Sequence, residues 1–309
     1  MKKAVVGVVT SEKTYNRLDD ILFNDAFLAN REKFDLAVVF NSDKKINHKF
    51  KTEFDYIYFR PNLGYDPAGF NHLINNLPEY DYYFLLHDDH FYNDYNWFDY
   101  SINLLEKNKH IDIISNIAIF PLLALFINSQ SFQIFLHQLN LAHLIKKDNI
   151  YNLICGIAGV YRAKAINSLK QKYGSIPYFN NNNKTNAVYC EVLSTLLFED
   201  CGIKFEQYPG EIFTYLNHLS HSNNHNIDWF SGLKYFSLKE YDKALKYFWD
   251  FIKICDDGEY HSEIPFALVF MYIMLKENDA QTAQKFLDMF YEYPIPDDNL
   301  REIKIYYKI

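Results

Sequence analysis

Short β-branched runs alternate with helix-patterned stretches through the first ninety or so residues, and this alternation constrains the fold more than any other feature of the chain. Ala4-Val5-Val6-Gly7-Val8-Val9 is apolar at every position, which marks a strand covered on both faces rather than one. From about Tyr15 to Glu32, apolar residues at Leu18, Ile21, Leu22, Ala26 and Ala29 follow helical spacing and predict one helix. Phe34 to Phe40 and Tyr56 to Phe59 read as strands, Pro67 to Leu77 as a helix, and Tyr82 to Leu86 as a strand running into His87-Asp88-Asp89-His90. This order builds a mostly parallel, Rossmann-like α/β sheet with right-handed crossovers. Ligands of such sheets sit at the carboxyl ends of the strands. The polar clusters Thr10-Ser11, Asn41-Ser42-Asp43 and His87 to His90 all fall at such ends.

Further along, residues from about Asn128 to Asp148 are apolar and predict a helix, Leu153 to Tyr161 a strand, and Asn180 to Asn183 a loop. Ser222-Asn223-Asn224-His225-Asn226 is a polar break, and from about Trp229 the pattern is helical only. The expected division is therefore residues 1–225 as an α/β domain and 226–309 as a small all-α domain. That second part holds a weak repeat. Tyr241, Ala244 and Phe248 follow Gly232 at offsets of 9, 12 and 16, and Ala280, Ala283 and Leu287 follow Met271 at the same offsets. Small residues at Ala244 and Ala283 would let paired helices approach closely. The pattern is similar to tetratricopeptide hairpins, whose usual period is about 34; the period here is 39, and an ordinary helical core gives the same pattern.

Composition excludes several classes. Net charge is -8, from 39 acidic and 31 basic residues, with no basic stripe, so a nucleic-acid binder is excluded. The longest apolar run, Ile117 to Ile127, contains Pro121 and falls short of the roughly 20 residues that span a bilayer. Met1-Lys2-Lys3 and the following apolar residues imitate a signal peptide only until Ser11-Glu12-Lys13, with no small-residue cleavage site. Cys155, Cys190, Cys201 and Cys255 form no CxxC pair, as for reduced thiols of a cytoplasmic protein. Aromatic residues reach 18%, and the joint excess of Lys, Asn, Tyr, Phe and Ile is what an AT-rich coding bias produces.

Three segments together resemble a GT-A fold glycosyltransferase of the large family 2 type. The first, Asn62-Leu63-Gly64-Tyr65-Asp66-Pro67-Ala68-Gly69-Phe70-Asn71, is similar to the stretch that opens the family's donor-side helix. Gly64 permits a tight turn, and the helix N-terminus after it can face a diphosphate. A plain strand-to-helix turn with asparagine caps has the same composition. The second, Leu86-His87-Asp88-Asp89-His90, is similar to the family's DxD motif in variant form. Aligned so, Asp89 is the metal ligand, Asp88 and His87 flank the ribose or the metal, and His87 replaces a usual acidic residue. The third runs from Val188-Tyr189-Cys190-Glu191 to Gly202, 11 residues after Glu191, and continues into Ile203 to Pro209, which is similar to a following family strand. It puts Glu191 at the catalytic-base position; a helix-start carboxylate stabilised by the helix dipole is the other reading.

The resemblance implies more. Gly156-Ile157-Ala158-Gly159-Val160-Tyr161-Arg162 matches a glycine-containing strand before an acceptor loop, or a buried strand whose glycines allow close packing. His218, or else His221, lies where such enzymes bring a histidine to the metal. Thr10, Asn41 and Asp43 correspond to nucleoside-binding positions, with Asn41 where the family has Asp. Leu197 fills a position where it often has Arg. The implied cofactor is Mn²⁺ or Mg²⁺. The implied donor is a nucleotide sugar, a UDP-sugar first among them, and the acceptor a glycan, a lipid-linked species or a protein. The helical part would hold a partner or a second copy of the chain. Residues with donor roles are then Thr10, Asn41, Asp43, Asn62, Gly64, Asp66, Asn71, His87 and Asp88. The location implied is cytoplasmic, including the inner face of the membrane. A degenerate transferase domain acting as a binding module is the alternative, and a nucleotidyltransferase is a third reading that lacks its Gly-rich loop between Thr10 and Asn16.

Overall fold

A computed structural model describes residues 3–43, 51–88, 90–92, 94–118, 127, 129–145, 153–181, 184–207, 216–218, 228, 231–232, 235–236, 240–255 and 264–293. The chain divides into two compact units, one of Met1–Ile117 and Ile134–Ser220, the other of Ala118–Gln133 and His221–Ile309.

The first unit is built on a seven-stranded, mostly parallel sheet. Its strands are β1 (Ala4–Ser11), β2 (Asp35–Asn41), β3 (Tyr56–Arg60), β4 (Tyr82–His87), β6 (Ile113–Ala118), β7 (Leu153–Arg162) and β8 (Phe205–Gln207), in the order β3-β2-β1-β4-β7-β6-β8. β1 pairs in parallel with β2 and β4, and β2 with β3. β7 runs antiparallel to β4, and β6 pairs in parallel with β8. A separate two-stranded ribbon joins β5 (His90–Tyr92) to β9 (Leu216–His218). The mostly parallel α/β sheet is the one the strand–helix alternation predicts. β1 and β2 are buried at nearly every position, as strands covered on both faces must be.

Two glycines set how closely the sheet is covered. Helix α3 (Tyr65–Asn76) lies over β1. A Cβ on Gly69 of that helix would stand 2.4 Å from Val9, and one on Gly7 of the strand 3.0 Å from Leu73. This close approach brings the first turn of α3 to the carboxyl ends of β1 and β2. On the same unit, Trp97 at the start of α4 (Trp97–Lys107) stacks with Phe27 and meets Phe84 edge to face. Its indole N–H donates to the Ala26 carbonyl at 3.0 Å. Part of the aromatic excess thus forms one buried cluster.

The helix expected over residues 15–32 is instead four short pieces. A 3₁₀ turn at Tyr15–Arg17 leads into α1 (Leu18–Leu22), α2 (Asp25–Leu28) follows, and a second 3₁₀ turn covers Arg31–Lys33. The break has a local cause: the Asn24 side chain accepts from the backbone N–H groups of Ala26 and Phe27, so it starts a new helix where the apolar pattern continued. The helix expected over 128–148 is shorter too. It resolves into α5 (Gln130–Gln138) and a 3₁₀ turn at Ala142–Leu144, with Asn140 at a left-handed φ of 58° between them. α6 (Ala163–Tyr173) and α7 (Lys184–Asp200) complete the first unit's helices as described.

The second unit contains α8 (Tyr241–Ile254), α9 (Ile264–Leu275) and α10 (Ala280–Glu292). α9 is apolar almost throughout and buried from Ile264 to Met271. Ala244 and Ala283, the small residues of the repeat, are both buried. A Cβ on Gly232 would stand 2.6 Å from the Phe248 ring. The polar break at Ser222 to Asn226 lies outside the described residues. Among the described residues, no helix is long and apolar enough to cross a membrane.

Candidate functional site

The carboxyl ends of β1, β2 and β4 open into one cleft of about 490 Å³, lined by Thr10, Ser11, Lys13, Thr14, Arg17, Asn41, Asn62, Tyr65, Asp66, His87 and Asp88. Six of the sequence-predicted residues meet here: Thr10, Asn41, Asn62, Asp66, His87 and Asp88. The volume lies in the range of small-molecule sites.

Asp88 forms the floor. It follows β4 directly and is buried. Its Oδ2 accepts from the Thr10 hydroxyl at 2.5 Å and from the Thr14 hydroxyl. Thr14 reaches it because the chain turns tightly after β1, with the Thr14 N–H donating to the Ser11 carbonyl at 3.2 Å.

Asn41 closes the β2 side. Its Nδ2 donates to the Tyr65 carbonyl at 3.1 Å, and its Oδ1 accepts from Arg60 Nη1 at 2.7 Å. Arg60 also donates to the Leu63 carbonyl at 2.6 Å and lies over the Tyr178 ring. Burial lowers the Arg60 pKa from its ordinary value. Both ends of the Asn41 amide are thus engaged in holding the turn into α3. That turn needs Gly64, whose φ is 77° and whose added Cβ would stand 2.5 Å from the Phe179 carbonyl oxygen. The Gly64 N–H donates to the Asn181 carbonyl at 2.7 Å.

His87, the last residue of β4, lies between two acceptors. Nε2 is 2.6 Å from the Gly156 carbonyl oxygen and donates to it, while Nδ1 is 3.2 Å from Asp66 Oδ2. Of the two glycines in β7, Gly159 matches the close-packing reading, since a Cβ there would stand 2.7 Å from the Ile114 carbonyl oxygen. Gly156 instead adopts a left-handed φ of 59° beside His87.

Several expected residues are not brought to the cleft lining. Asp43 is exposed and accepts from the Asn62 N–H at 3.4 Å. Asn71 donates to the Ile176 carbonyl at 2.5 Å and lines a second cavity of about 470 Å³ with Leu139, Tyr178 and Leu193. Glu191 sits in the middle of α7, seven residues after Lys184, so it is not a helix-start carboxylate. Leu197 is buried and also lines the second cavity. Asp89 lies outside the described residues, as does His221, and only the backbone of His218 is described. Among the described residues, no three of His, Cys, Asp or Glu are grouped so as to hold a metal ion.

Sequence reasoning missed Lys13, Thr14 and Arg17. All three belong to the turn after β1, where the rule that ligands meet strand ends could have found them. Lys13 and Arg17 give the cleft two cationic side chains.

No protein-family model and no curated protein matches this chain. Among solved structures it is similar to TarS of S. aureus, at TM-score 0.44 and 12% identity over 93% of this chain and 50% of that one. It is likewise similar to TarS 1-349 in complex with UDP-GlcNAc, at TM-score 0.41 and 12% identity over 89% and 81% of the two chains. A third likeness is to the mannosyltransferase PcManGT of Pyrobaculum calidifontis in complex with GDP-Man and Mn²⁺, at TM-score 0.47 and 11% identity over 99% and 84%. The chain spans half the length of the first of these. At these scores the fold rests on the strand order and pairing described above.

Proposed function

We propose that the chain is a GT-A, family 2-like glycosyltransferase that moves a sugar, with inversion, from a nucleotide-sugar donor to a glycan, lipid-linked or protein acceptor. One observation carries the reading: a buried carboxylate, three aliphatic hydroxyls, two amides and two cations converge in one cleft at the carboxyl ends of three parallel strands. Hydroxyl-rich nucleosides need carboxylate and amide partners, and a diphosphate needs cations. Lys13 and Arg17 take the diphosphate charge, aided by the N–H groups at the start of α3. Thr10 and Thr14 hold Asp88 in place, and Asn41 with Arg60 holds the turn that presents Tyr65 and Asp66.

Transfer requires a base for the acceptor hydroxyl. The acceptor oxygen forms its bond to the anomeric carbon while the bond from that carbon to the diphosphate oxygen breaks, and the hydroxyl proton passes to the base. Glu191 holds that role by resemblance, and Asp66 is the carboxylate besides Asp88 that lines the cleft. A divalent ion, Mn²⁺ or Mg²⁺, belongs to the same proposal, with Asp89 and His218 as its residues; when bound it would neutralise the leaving diphosphate. Support comes from the ribbon register, in which the backbone of His218 pairs with His90, the residue after Asp89. The helical unit is proposed as a tetratricopeptide-like surface for a partner or second copy, supported by the buried Ala244 and Ala283.

A second reading, a donor-binding module without transfer, is favoured by the place of Glu191 outside the cleft lining. Hydrolysis of UDP-GlcNAc and GDP-mannose without acceptor, with and without Mn²⁺, separates the two. Metal-stimulated turnover supports the enzyme. Binding without turnover, at any metal concentration and with any acceptor supplied, supports the module.

A further inference from the structure

The resemblance leaves His87 without a settled role, since it stands where related transferases carry an acidic residue. We propose that His87 is a positioning residue: it clamps Asp66, on the first turn of α3, against a strained step of β7, so that the Asp66 carboxylate meets hydroxyls of the donor at a fixed angle. The proposal rests on the donor-cleft reading.

Four neighbours hold the ring. Nε2 donates to the Gly156 carbonyl at 2.6 Å, and Nδ1 is 3.2 Å from Asp66 Oδ2. Phe70 meets the ring edge to face at 5.1 Å, and the His90 ring stacks on it at 5.3 Å. With both nitrogens facing acceptors inside the protein, His87 acts on a ligand through Asp66. Asp66 is 43% exposed and lines the cleft, so its remaining surface faces the ligand space.

The other jaw is built at a conformational cost. The β4–β7 ladder runs from Tyr82↔Arg162 to Leu85↔Gly159. Beyond it, Gly156 and Ile157 adopt φ of 59° and 64°. A left-handed conformation at a β-branched residue is a true outlier, and such residues cluster where function holds them. The Tyr161 hydroxyl donates to the Ile157 carbonyl at 2.5 Å, and His87 takes the Gly156 carbonyl, so the step is tied from both sides. A side chain at Gly156 would displace the ring, because a Cβ there would stand 2.5 Å from Nε2.

The test is titration calorimetry on the full chain with UDP-GlcNAc, GDP-mannose, UDP and GDP. The proteins are the wild type, His87→Gln, Asp66→Asn and the double variant. Each single variant is expected to weaken the tightest binder by roughly 10- to 100-fold, the range for a lost hydrogen bond to a charged group. The double variant should lose no more than either single one, because His87 acts only through Asp66. A loss shared by the free diphosphates puts the hydroxyls on ribose; a loss confined to nucleotide sugars puts them on the transferred sugar. Gly156→Ala, which pushes the ring from behind without touching the cleft, should give the same loss and add nothing to His87→Gln. Unchanged binding by His87→Gln, or losses that multiply in the double variant as a merely structural role would give, overturns the clamp. If the wild type binds none of the four probes, the donor reading falls, and the clamp's function with it.

Discussion

The Thr10 hydroxyl, at the end of β1, donates to Asp88 Oδ2, just past the end of β4, at 2.5 Å, and so ties two neighbouring parallel strands together at the floor of the cleft. Thr14 donates to the same oxygen from the turn after β1. The buried Asp88 carboxylate therefore depends on a loop that also carries Lys13 and Arg17.

Removing one of these donors leaves a buried acceptor short of a partner. Thr10→Val keeps the shape and should cost about 1–3 kcal/mol of stability. Urea unfolding of the variant against wild type measures it. A cost under about 0.5 kcal/mol would show that Asp88 does not rely on Thr10.

The turn into α3 depends on Gly64. Gly64→Ala places a Cβ 2.5 Å from the Phe179 carbonyl oxygen at a φ of 77°. It should destabilise by more than about 1 kcal/mol, since the substitution is strained where φ is positive. The same unfolding measurement checks it, and a stabilised variant would contradict the local geometry.

Much of this was legible in the sequence, and the omissions have physical causes. The strands and α3 show because burial on both faces leaves continuous apolar runs, as in Ala4 to Val9. Strand ends then point to Thr10, Asn41, His87 and Asp88, and the resemblance of the Asn62–Asn71 segment adds Asp66. The loop after β1 was hidden by an apolar pattern that continues past Asn24, whose cap breaks the helix. Asn71 and Glu191 sit at the right intervals along the chain, but interval does not say which way a residue faces. Asn71 turns to Ile176, and Glu191 falls in mid-helix.

Stability should depend on pH in two windows. The Glu106 carboxyl is held down to about 2 by hydrogen bonds from Lys109, Tyr82 and Arg162, so its contribution is present above about pH 4.5 and lost as pH falls towards 2. Burial pushes the Cys190 thiol up to about 12, and burial with the Glu106 hydrogen bond does the same for Tyr82. Their contributions are present below about pH 9 and 10 and lost as pH rises towards 12. Burial, with the charge of Arg60, lowers the His72 pKa from its ordinary 6.5, so a further contribution is lost as pH falls below about 6.5. Denaturation midpoints should be highest between about pH 7 and 9 and fall on both sides. Cys190→Ala should make the alkaline fall shallower, and an unchanged alkaline slope would count against a buried thiol there.

The base is tested by one isosteric change and one that shortens the side chain by a methylene. General-base catalysis contributes about 10²- to 10⁴-fold. Glu191→Gln should lower single-turnover transfer by about that factor with donor affinity unchanged, and Glu191→Asp should retain partial activity. Near-wild-type transfer by Glu191→Gln, with the loss appearing in Asp66→Asn, would move the base to Asp66.

The central claim is that the cleft between β1, β2 and β4 holds a nucleotide-sugar donor. The most direct measurement is calorimetric titration of UDP-, GDP-, CMP- and dTDP-sugars, with and without Mn²⁺, into wild type and Arg17→Ala. One nucleotide class should bind with a defined stoichiometry. Arg17→Ala should weaken it by roughly tenfold or more, the cost of a lost charged hydrogen bond. Absence of binding by every class, or binding indifferent to Arg17, would contradict the account.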